Sequence, residues 1–159
     1  MAIEETTITE EAPVKEPLPA DEGEQVELMK VSMNGETFLL SVKDVGEILR
    51  PITLTPVPMA PDHMLGVANI RGQIVCIVDP GKVLHLNHDR APKSESTRFL
   101  ILRHPRMHLG IWVDEVSELY RVAKSNLPED NLENHTSLRG EVTVDGEVFK
   151  MLNTHSLFD

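Results

Sequence analysis

Short apolar runs separated by turn residues recur along the chain from residue 27 onward. In the first pair, Glu27–Met33 and Thr37–Val42 flank the dipeptide Asn34-Gly35. Asn-Gly tolerates the positive φ angles of a tight two-residue turn, so this pattern predicts a β-hairpin. The same pattern predicts six further strands: Val67–Ile70, Gln73–Val78, Arg98–Arg103, His108–Val113, Glu141–Val144 and Glu147–Leu152.

Three segments between these runs carry other signals. Val42–Leu49 spaces its apolar residues as one or two helical turns would, although Ile48-Leu49 is also consistent with the start of a strand. Asp79 followed by Pro80 is a good helix start and predicts a short helix over Pro80–Leu84. The four prolines of Pro51–Pro61 predict an extended connection.

The chain also contains an internal repeat. Residues 65–84 match residues 139–158 at a constant offset of 74, and residues 38–50 match residues 109–121 at an offset of 71. Four strands in each half, with Ile48-Leu49 and its counterpart Leu119-Tyr120 counted as a fifth, predict an all-β protein with a few short helices, arranged as two similar five-stranded β-barrels.

The formal net charge of −11 is unevenly distributed. Residues 1–24 hold eight acidic side chains and one basic one, whereas residues 25–159 hold 18 acidic and 14 basic ones. The first segment contains prolines and lacks apolar periodicity, so we expect a disordered acidic tail followed by a structured region. The acidic balance argues against non-specific binding to nucleic acid or to anionic membranes.

The sequence indicates a cytoplasmic protein. The apolar runs are far shorter than the roughly 20 residues that a membrane helix needs, so we expect no direct membrane insertion. The first residues lack the basic start and apolar region of a secretory signal. The single cysteine, Cys76, excludes an internal disulfide and fits a reducing compartment.

Motifs of catalytic or metal sites are missing from the sequence. There is no nucleophile elbow, phosphate-binding glycine loop or HExxH helix. His85 and His88 lie close to Asp89, but a metal site needs three or four convergent ligands. We therefore expect no enzymatic activity, no metal and no cofactor.

Glu47 and Arg71 stand out when the two copies of the repeat are compared. Glu47 has an identical counterpart in Glu118, whereas Arg71 corresponds to Asp145. Arg71 offers a planar set of donors at a predicted hairpin tip, which suits a carboxylate. The alternative is an ordinary charged turn residue in water, and the residues alone leave both interpretations open.

Residues 56–79, PVPMAPDHMLGVANIRGQIVCIVD, resemble the central segment of CheW-like chemotaxis coupling proteins. The shared features are a proline-rich approach, the hairpin Gly66-Val67-Ala68-Asn69-Ile70-Arg71-Gly72 and an apolar strand that ends in Asp79. The resemblance extends over residues 25–159. It implies two SH3-like five-stranded barrels packed together, with subdomains at about 25–86 and 97–159 and with strand exchange between them left open.

The resemblance also implies an adaptor without catalytic activity. Such a protein couples the cytoplasmic tip of methyl-accepting chemoreceptors to the regulatory domain of a CheA-type histidine kinase, at receptor arrays near the inner membrane. A salt bridge between Glu47 and Arg71 is implied as well. By position, the implied partner-binding residues are Val45, Glu47, Gly66, Asn69, Arg71 and Gly72.

The sequence departs from the pattern of this family at one place. Asp79 is followed by Pro80-Gly81, where the family usually continues with Leu and a basic residue. Glycine at that position is expected to weaken the helix by roughly 1 kcal/mol relative to alanine. The alternative function is a small-molecule-binding or catalytic small β-barrel domain, which titratable groups converging in a pocket would indicate.

Overall fold

The computed structural model describes residues 14–15, 23–104, 107–128 and 138–154, and strands dominate these ranges. Within them, no helix has the length and apolar composition that a membrane span requires. The helices are α1 (Pro80–Val83) and the 3₁₀ helices Val42–Asp44 and Lys124–Asn126. The strands are β1 (Val14–Lys15), β2 (Gln25–Met33), β3 (Glu36–Ser41), β4 (Val45–Leu49), β5 (Met64–Ile70), β6 (Gln73–Val78), β7 (Arg98–Leu102), β8 (Leu109–Val113), β9 (Glu115–Ala123), β10 (Leu138–Val144) and β11 (Glu147–Leu152).

The strands form two sheets of similar construction. The six-stranded sheet has the order β1-β9-β2-β3-β11-β10, and the five-stranded sheet has the order β4-β7-β8-β6-β5. By the internal repeat, β9, β2, β3, β11 and β10 correspond to the five strands of the other sheet, and β1 is an addition at the edge. The predicted strands and the all-β class with two five-stranded barrels are confirmed.

The two halves of the chain exchange strands between the sheets. In the six-stranded sheet, β3 pairs in parallel with β11, so that Phe38 lies opposite Lys150. The equivalent parallel pair in the five-stranded sheet joins β6 and β8, with Cys76 opposite Leu109. Each sheet therefore takes strands from both halves, and neither half forms a sheet by itself. The subdomain limits near residues 86 and 97 stay a prediction.

A continuous apolar core lies between the two sheets. We call it the inter-sheet core; its buried members are Met29, Val31, Met33, Phe38, Leu40, Val45, Leu100, Leu102, Ile111, Val113 and Leu152. Two smaller clusters lie on the other faces of the sheets, around Phe149 in one and around Phe99 and Trp112 in the other. Neighbouring residues such as Leu28 and Met29 thus face different clusters, which explains the unbroken apolar runs.

Most of the predicted acidic tail lies outside the described residues. Val14–Lys15 form β1, which pairs in parallel with β9 at Leu119 and Tyr120. For residues 1–13 and 16–22, the expectation of disorder stays a prediction.

Strand β4 settles the ambiguity over Val42–Leu49. Only Val42–Asp44 are helical, as a single 3₁₀ turn, and Val45–Leu49 pair antiparallel with β7. Val45 is 8% exposed and packs into the inter-sheet core. The backbone pairing offered by β7 outweighs the helical spacing, because short helices have little stability of their own.

The predicted helix after Asp79 is confirmed as α1. Asp79 is buried, and its Oδ1 accepts a hydrogen bond from the backbone N–H of Gly81 at 2.9 Å. Gly81 is buried too, because the side chain of Asn34 packs directly against it, in the space that a Cβ would fill. Glycine at this position is therefore required by packing.

Asn34 has little freedom to move away from Gly81. Its backbone N–H donates to Asp114 Oδ2 at 3.1 Å, and its Nδ2 donates to the carbonyl oxygen of His88 at 2.8 Å. It also occupies the left-handed region, with φ of 53°, in the β2–β3 turn.

We predict that Gly81→Ala lowers the free energy of unfolding by about 1–3 kcal/mol, the usual cost of overpacking. In an unhindered helix the same change raises stability, so the sign of the effect is diagnostic. Asn34→Gly added to Gly81→Ala removes the obstructing amide and should recover part of the loss. Urea denaturation of the wild type, both single variants and the double variant measures this coupling. A more stable Gly81→Ala protein would contradict the packing.

Candidate functional site

The hairpin of β5 and β6 carries most of the predicted site. Its turn places Arg71 at φ 53° and Gly72 at φ 84°. The side-chain Oδ1 of Asn69 accepts a hydrogen bond from the backbone N–H of Gly72 at 2.9 Å, and this bond closes the turn. Asn69 therefore shapes the tip on which Arg71 stands.

Arginine is an unusual residue for this conformation. The other two hairpin turns of the same shape use Asn34 and Asp145, with φ of 53° at each. Asn and Asp tolerate the left-handed region because their short side chains bond locally, whereas a long side chain is penalised there. Strain of this kind is typical of sites where the side chain itself has a role. The backbone thus favours a functional interpretation of Arg71.

Arg71 forms an ion pair across the open side of the five-stranded sheet. Its Nη2 lies 2.5 Å from Oε2 of Glu47 on β4, the strand at the opposite edge from the hairpin. The Arg71 side chain is 76% exposed and that of Glu47 is 23% exposed. An ion pair this exposed contributes at most about 1 kcal/mol to folding. Its main effect is to hold both charged groups in a defined arrangement at the surface.

Two of the predicted site residues lie beneath this surface. Val45 packs into the inter-sheet core. Gly66 sits at a register shift in the β5–β6 ladder with φ of 150°, and a Cβ there would lie 2.8 Å from the carbonyl oxygen of Thr55. Both residues therefore affect the surface indirectly, because they fix the position of the backbone beneath it.

The other four site residues come together at the surface. Glu47 and Arg71 are joined by the ion pair, and Asn69 and Gly72 are joined by the turn hydrogen bond. A Cβ at Gly72 would meet no atom within 4 Å, so the turn is open to an approaching molecule. The assignment of all six residues to partner binding stays a prediction.

Several apolar side chains of β4, of β6 and of the connection between β4 and β5 are exposed, and the sequence did not single them out. Ile48, next to Glu47 on β4, is 45% exposed. Ile74 on β6 is 58% exposed and lies directly opposite Asn69 in the ladder. The connection between β4 and β5 adds further exposed apolar residues: Ile52, Val57 and Met59. Strand alternation alone could not separate these residues from core residues, because both faces of the neighbouring strands are buried.

The second copy of the repeat uses its glutamate differently. Glu118 lies 3.3 Å from Lys30 Nζ, and its Oε1 accepts a hydrogen bond from the Tyr120 hydroxyl at 3.1 Å. Burial, the hydrogen bond to Glu118 and the charges of Glu118, Glu147 and Asp145 together raise the pKa of Tyr120 to about 12. Within the repeat, only the first copy joins this glutamate to a cation at the hairpin tip.

The histidines named as weak metal candidates line a polar cleft beside α1. His85 and His88 face it together with His63 and Arg90. Among the residues that the structure describes, no three His, Cys, Asp or Glu side chains are grouped so that they could hold a metal ion.

Tyr120 is the only tyrosine of the chain, so its ionisation can be followed by the ultraviolet absorbance of the phenolate. The folded protein should keep the phenol protonated until about pH 12, whereas the unfolded chain titrates near pH 10. Between pH 10 and pH 12 the folded state therefore binds more protons than the unfolded state. The stability that this difference contributes is complete below pH 10 and is lost as the pH rises through 12. Tyr120→Phe should remove this part of the loss of folding stability at alkaline pH. Phenolate formation near pH 10 in the folded protein would contradict the contacts of Tyr120.

Comparisons with curated proteins give a consistent set of relatives. The chemotaxis protein CheW of Helicobacter pylori is 25% identical over 107 residues, which cover 67% of this chain and 64% of that protein. The chemotaxis protein CheW of Thermotoga maritima is 22% identical over 142 residues, 88% of this chain and 92% of that protein. Protein PilI of Pseudomonas aeruginosa is 32% identical over 84 residues, 53% of this chain and 46% of that protein.

A solved structure and a family model agree with these relatives. The crystal structure of the scaffolding protein TtCheW from Thermoanaerobacter tengcongensis superposes with a TM-score of 0.73 at 22% identity, covering 89% of this chain and 93% of that one. This likeness establishes the shared fold. The model of the CheW-like domain matches residues 27–159, so the resemblance found in the sequence is confirmed. The chain belongs to the CheW-like domain family.

Proposed function

We propose that this chain is a non-enzymatic adaptor that couples the cytoplasmic tip of a chemoreceptor to the regulatory domain of a CheA-type histidine kinase. Membership of the CheW-like family supports this role, as do relatives named chemotaxis protein and a similar structure described as a scaffolding protein. The observation that carries the proposal within this chain is the exposed Glu47–Arg71 pair at a strained hairpin tip.

The surroundings of that pair suit a protein partner. Ile74 is exposed and lies opposite Asn69, two residues before Arg71, and interfaces commonly combine apolar contact area with a few placed charges. Arginine in particular is enriched among the residues that dominate binding energy. Acid–base chemistry would instead favour a desolvated cleft, so the catalytic alternative gains no support from this arrangement.

A second surface for a partner is the β4 edge of the five-stranded sheet, which no other strand of the described residues covers. Strand β4 ends that sheet, whereas its counterpart β9 is covered by β1. An uncovered strand edge can pair with an extended segment of another protein. An adaptor needs at least two contact surfaces, and the edge of β4 and the β5–β6 tip together supply them. The proposed setting is the cytoplasm, at receptor arrays near the inner membrane.

Arg71→Ala tests the proposed role of the hairpin tip. The variant should fold normally, because the ion pair is exposed, but it should weaken ternary assembly with receptor and kinase by about tenfold or more, as loss of an interface arginine commonly does. Sedimentation of receptor-containing membranes with kinase, and kinase autophosphorylation at matched protein levels, measure assembly and activation.

Arg121→Ala is a matched control. It removes another surface arginine, paired with Glu27 at 3.7 Å on the six-stranded sheet, and should leave assembly unchanged. Normal kinase activation by Arg71→Ala would rule out the role assigned to Arg71. Failure of the wild-type chain to co-purify with the kinase regulatory domain would rule out the adaptor function itself.

A further inference from the structure

A polar cavity of about 470 Å³ opens at one end of the six-stranded sheet. It lies where the end of β3, the two 3₁₀ helices and the start of β10 meet, and none of its lining residues belongs to the β5–β6 hairpin. The polar side chains that matter here are Ser41, Lys43, Lys124, Arg139, Asn153 and Thr154. The volume is within the range of small-molecule sites and well above that of a single water.

The described residues of the lining carry an excess of positive charge, in contrast to the acidic chain as a whole. Among the described lining residues, Lys43, Lys124 and Arg139 contribute cations and Asp44 contributes the single carboxylate. That carboxylate accepts a hydrogen bond from the hydroxyl of Thr154 at 2.9 Å. Lys124 is partly neutralised by Glu24 at 3.4 Å, with both side chains exposed. Lys43 and Arg139 are therefore the cations that define the charge of the cavity.

Two buried donors in the lining have no hydrogen-bond acceptor within the described part of the chain. Ser41 is 1% exposed, and its Oγ makes no hydrogen bond to any residue that the structure describes. The Nε of Arg139 is likewise buried without a partner, although Nη2 of the same guanidinium donates to the carbonyl oxygen of Pro128 at 3.0 Å. Buried polar groups are normally paired. Two unpaired donors beside a cationic cavity favour a ligand that brings acceptor oxygens.

The internal repeat explains why the cavity exists. Ser41 corresponds to Trp112 in the other sheet, where the indole is buried and the guanidinium of Arg90 stacks 4.6 Å above it. A hydroxymethyl group in the place of an indole leaves space unfilled. The cavity thus borders the position that the Trp112 indole occupies in the five-stranded sheet.

The charges of equivalent residues also differ between the two copies of the repeat. In the five-stranded sheet, Asp79 pairs with Arg90 at 3.4 Å, and Asp114 accepts a hydrogen bond from the Trp112 indole at 3.2 Å. Their counterparts in the six-stranded sheet are Asn153 and Lys43. One copy therefore pairs its stacked indole and guanidinium with carboxylates, whereas the other presents a cationic and a neutral group at the cavity.

We propose that this cavity binds a small organic anion that carries a carboxylate or phosphate group. The anionic oxygens accept hydrogen bonds from Ser41 Oγ and Arg139 Nε and lie near the ammonium group of Lys43. The remainder of the ligand contacts the apolar part of the wall, formed by Val26 and Leu127. This site is separate from the proposed partner-binding hairpin.

Titration of the full chain with glutarate and, separately, with inorganic phosphate tests the proposal. Backbone amide NMR shifts at constant ionic strength should change saturably around Ser41, Lys43 and Arg139. Saturation by glutarate assigns the site to carboxylates, and saturation by phosphate assigns it to phosphate groups. Absence of saturable shifts with both anions overturns the proposal.

Two variants and a control locate the binding. Lys43→Asp changes an exposed side chain and should weaken binding by about tenfold or more, as expected when a charge-assisted contact is lost. Ser41→Trp copies the residue of the other repeat and should abolish binding by filling the cavity. Lys93→Asp, an equal charge change at an exposed residue outside the cavity, should leave the affinity unchanged.

The outcomes separate a built site from general charge attraction. Equal weakening by Lys93→Asp and Lys43→Asp overturns the proposal, as does unchanged binding in a folded Ser41→Trp protein. If Ser41→Trp does not fold, the comparison of Lys43→Asp with Lys93→Asp decides the matter, since both residues are exposed.

Discussion

The fold depends on burial of the central strands on both of their faces. Leu28 and Met29 are adjacent on β2 and both almost fully buried, yet they belong to different apolar clusters. The same holds for Phe99 and Leu100 on β7. The same strands thus contribute one face to the inter-sheet core and the other face to the separate apolar cluster of their own sheet. Neither sheet can keep its apolar surface out of water without the other.

The parallel pairs reinforce this dependence by exchanging strands between the halves of the chain. Phe38 opposite Lys150 and Cys76 opposite Leu109 are equivalent contacts, and each connects the first half to the second. This arrangement of strands sets the geometry of the candidate site at Glu47 and Arg71. Strand β4 is positioned by β7, which places Glu47 across from a hairpin tip contributed by β5 and β6. A surface ion pair of small energetic value is thus held in place by strands that the buried apolar clusters support.

The two copies of the repeat share a backbone fold but present different side chains at their surfaces. Glycines at equivalent turns and bulges keep the two copies alike, with φ of 84° at Gly72 and 80° at Gly146. Side chains at the same positions differ in charge and size. Arg71 replaces an acidic residue in a turn that suits it poorly, and Ser41 replaces a tryptophan and leaves a cavity. Two of the differences between the copies lie at the two places where binding is proposed.

The sequence by itself determined the class of fold, most of the strands, the three hairpin turns and the capped helix after Asp79. These features depend on local chemistry: apolar runs, residues that accept positive φ, and a carboxylate ahead of a proline. It also pointed to Arg71 through its mismatch with Asp145. Tertiary structure alone decided which strands join which sheet, because pairing between distant strands leaves no mark in local periodicity. It also decided that Val45–Leu49 form a strand, that Gly81 is required by Asn34, and that Ser41 borders a cavity, because each depends on a neighbour remote in the chain.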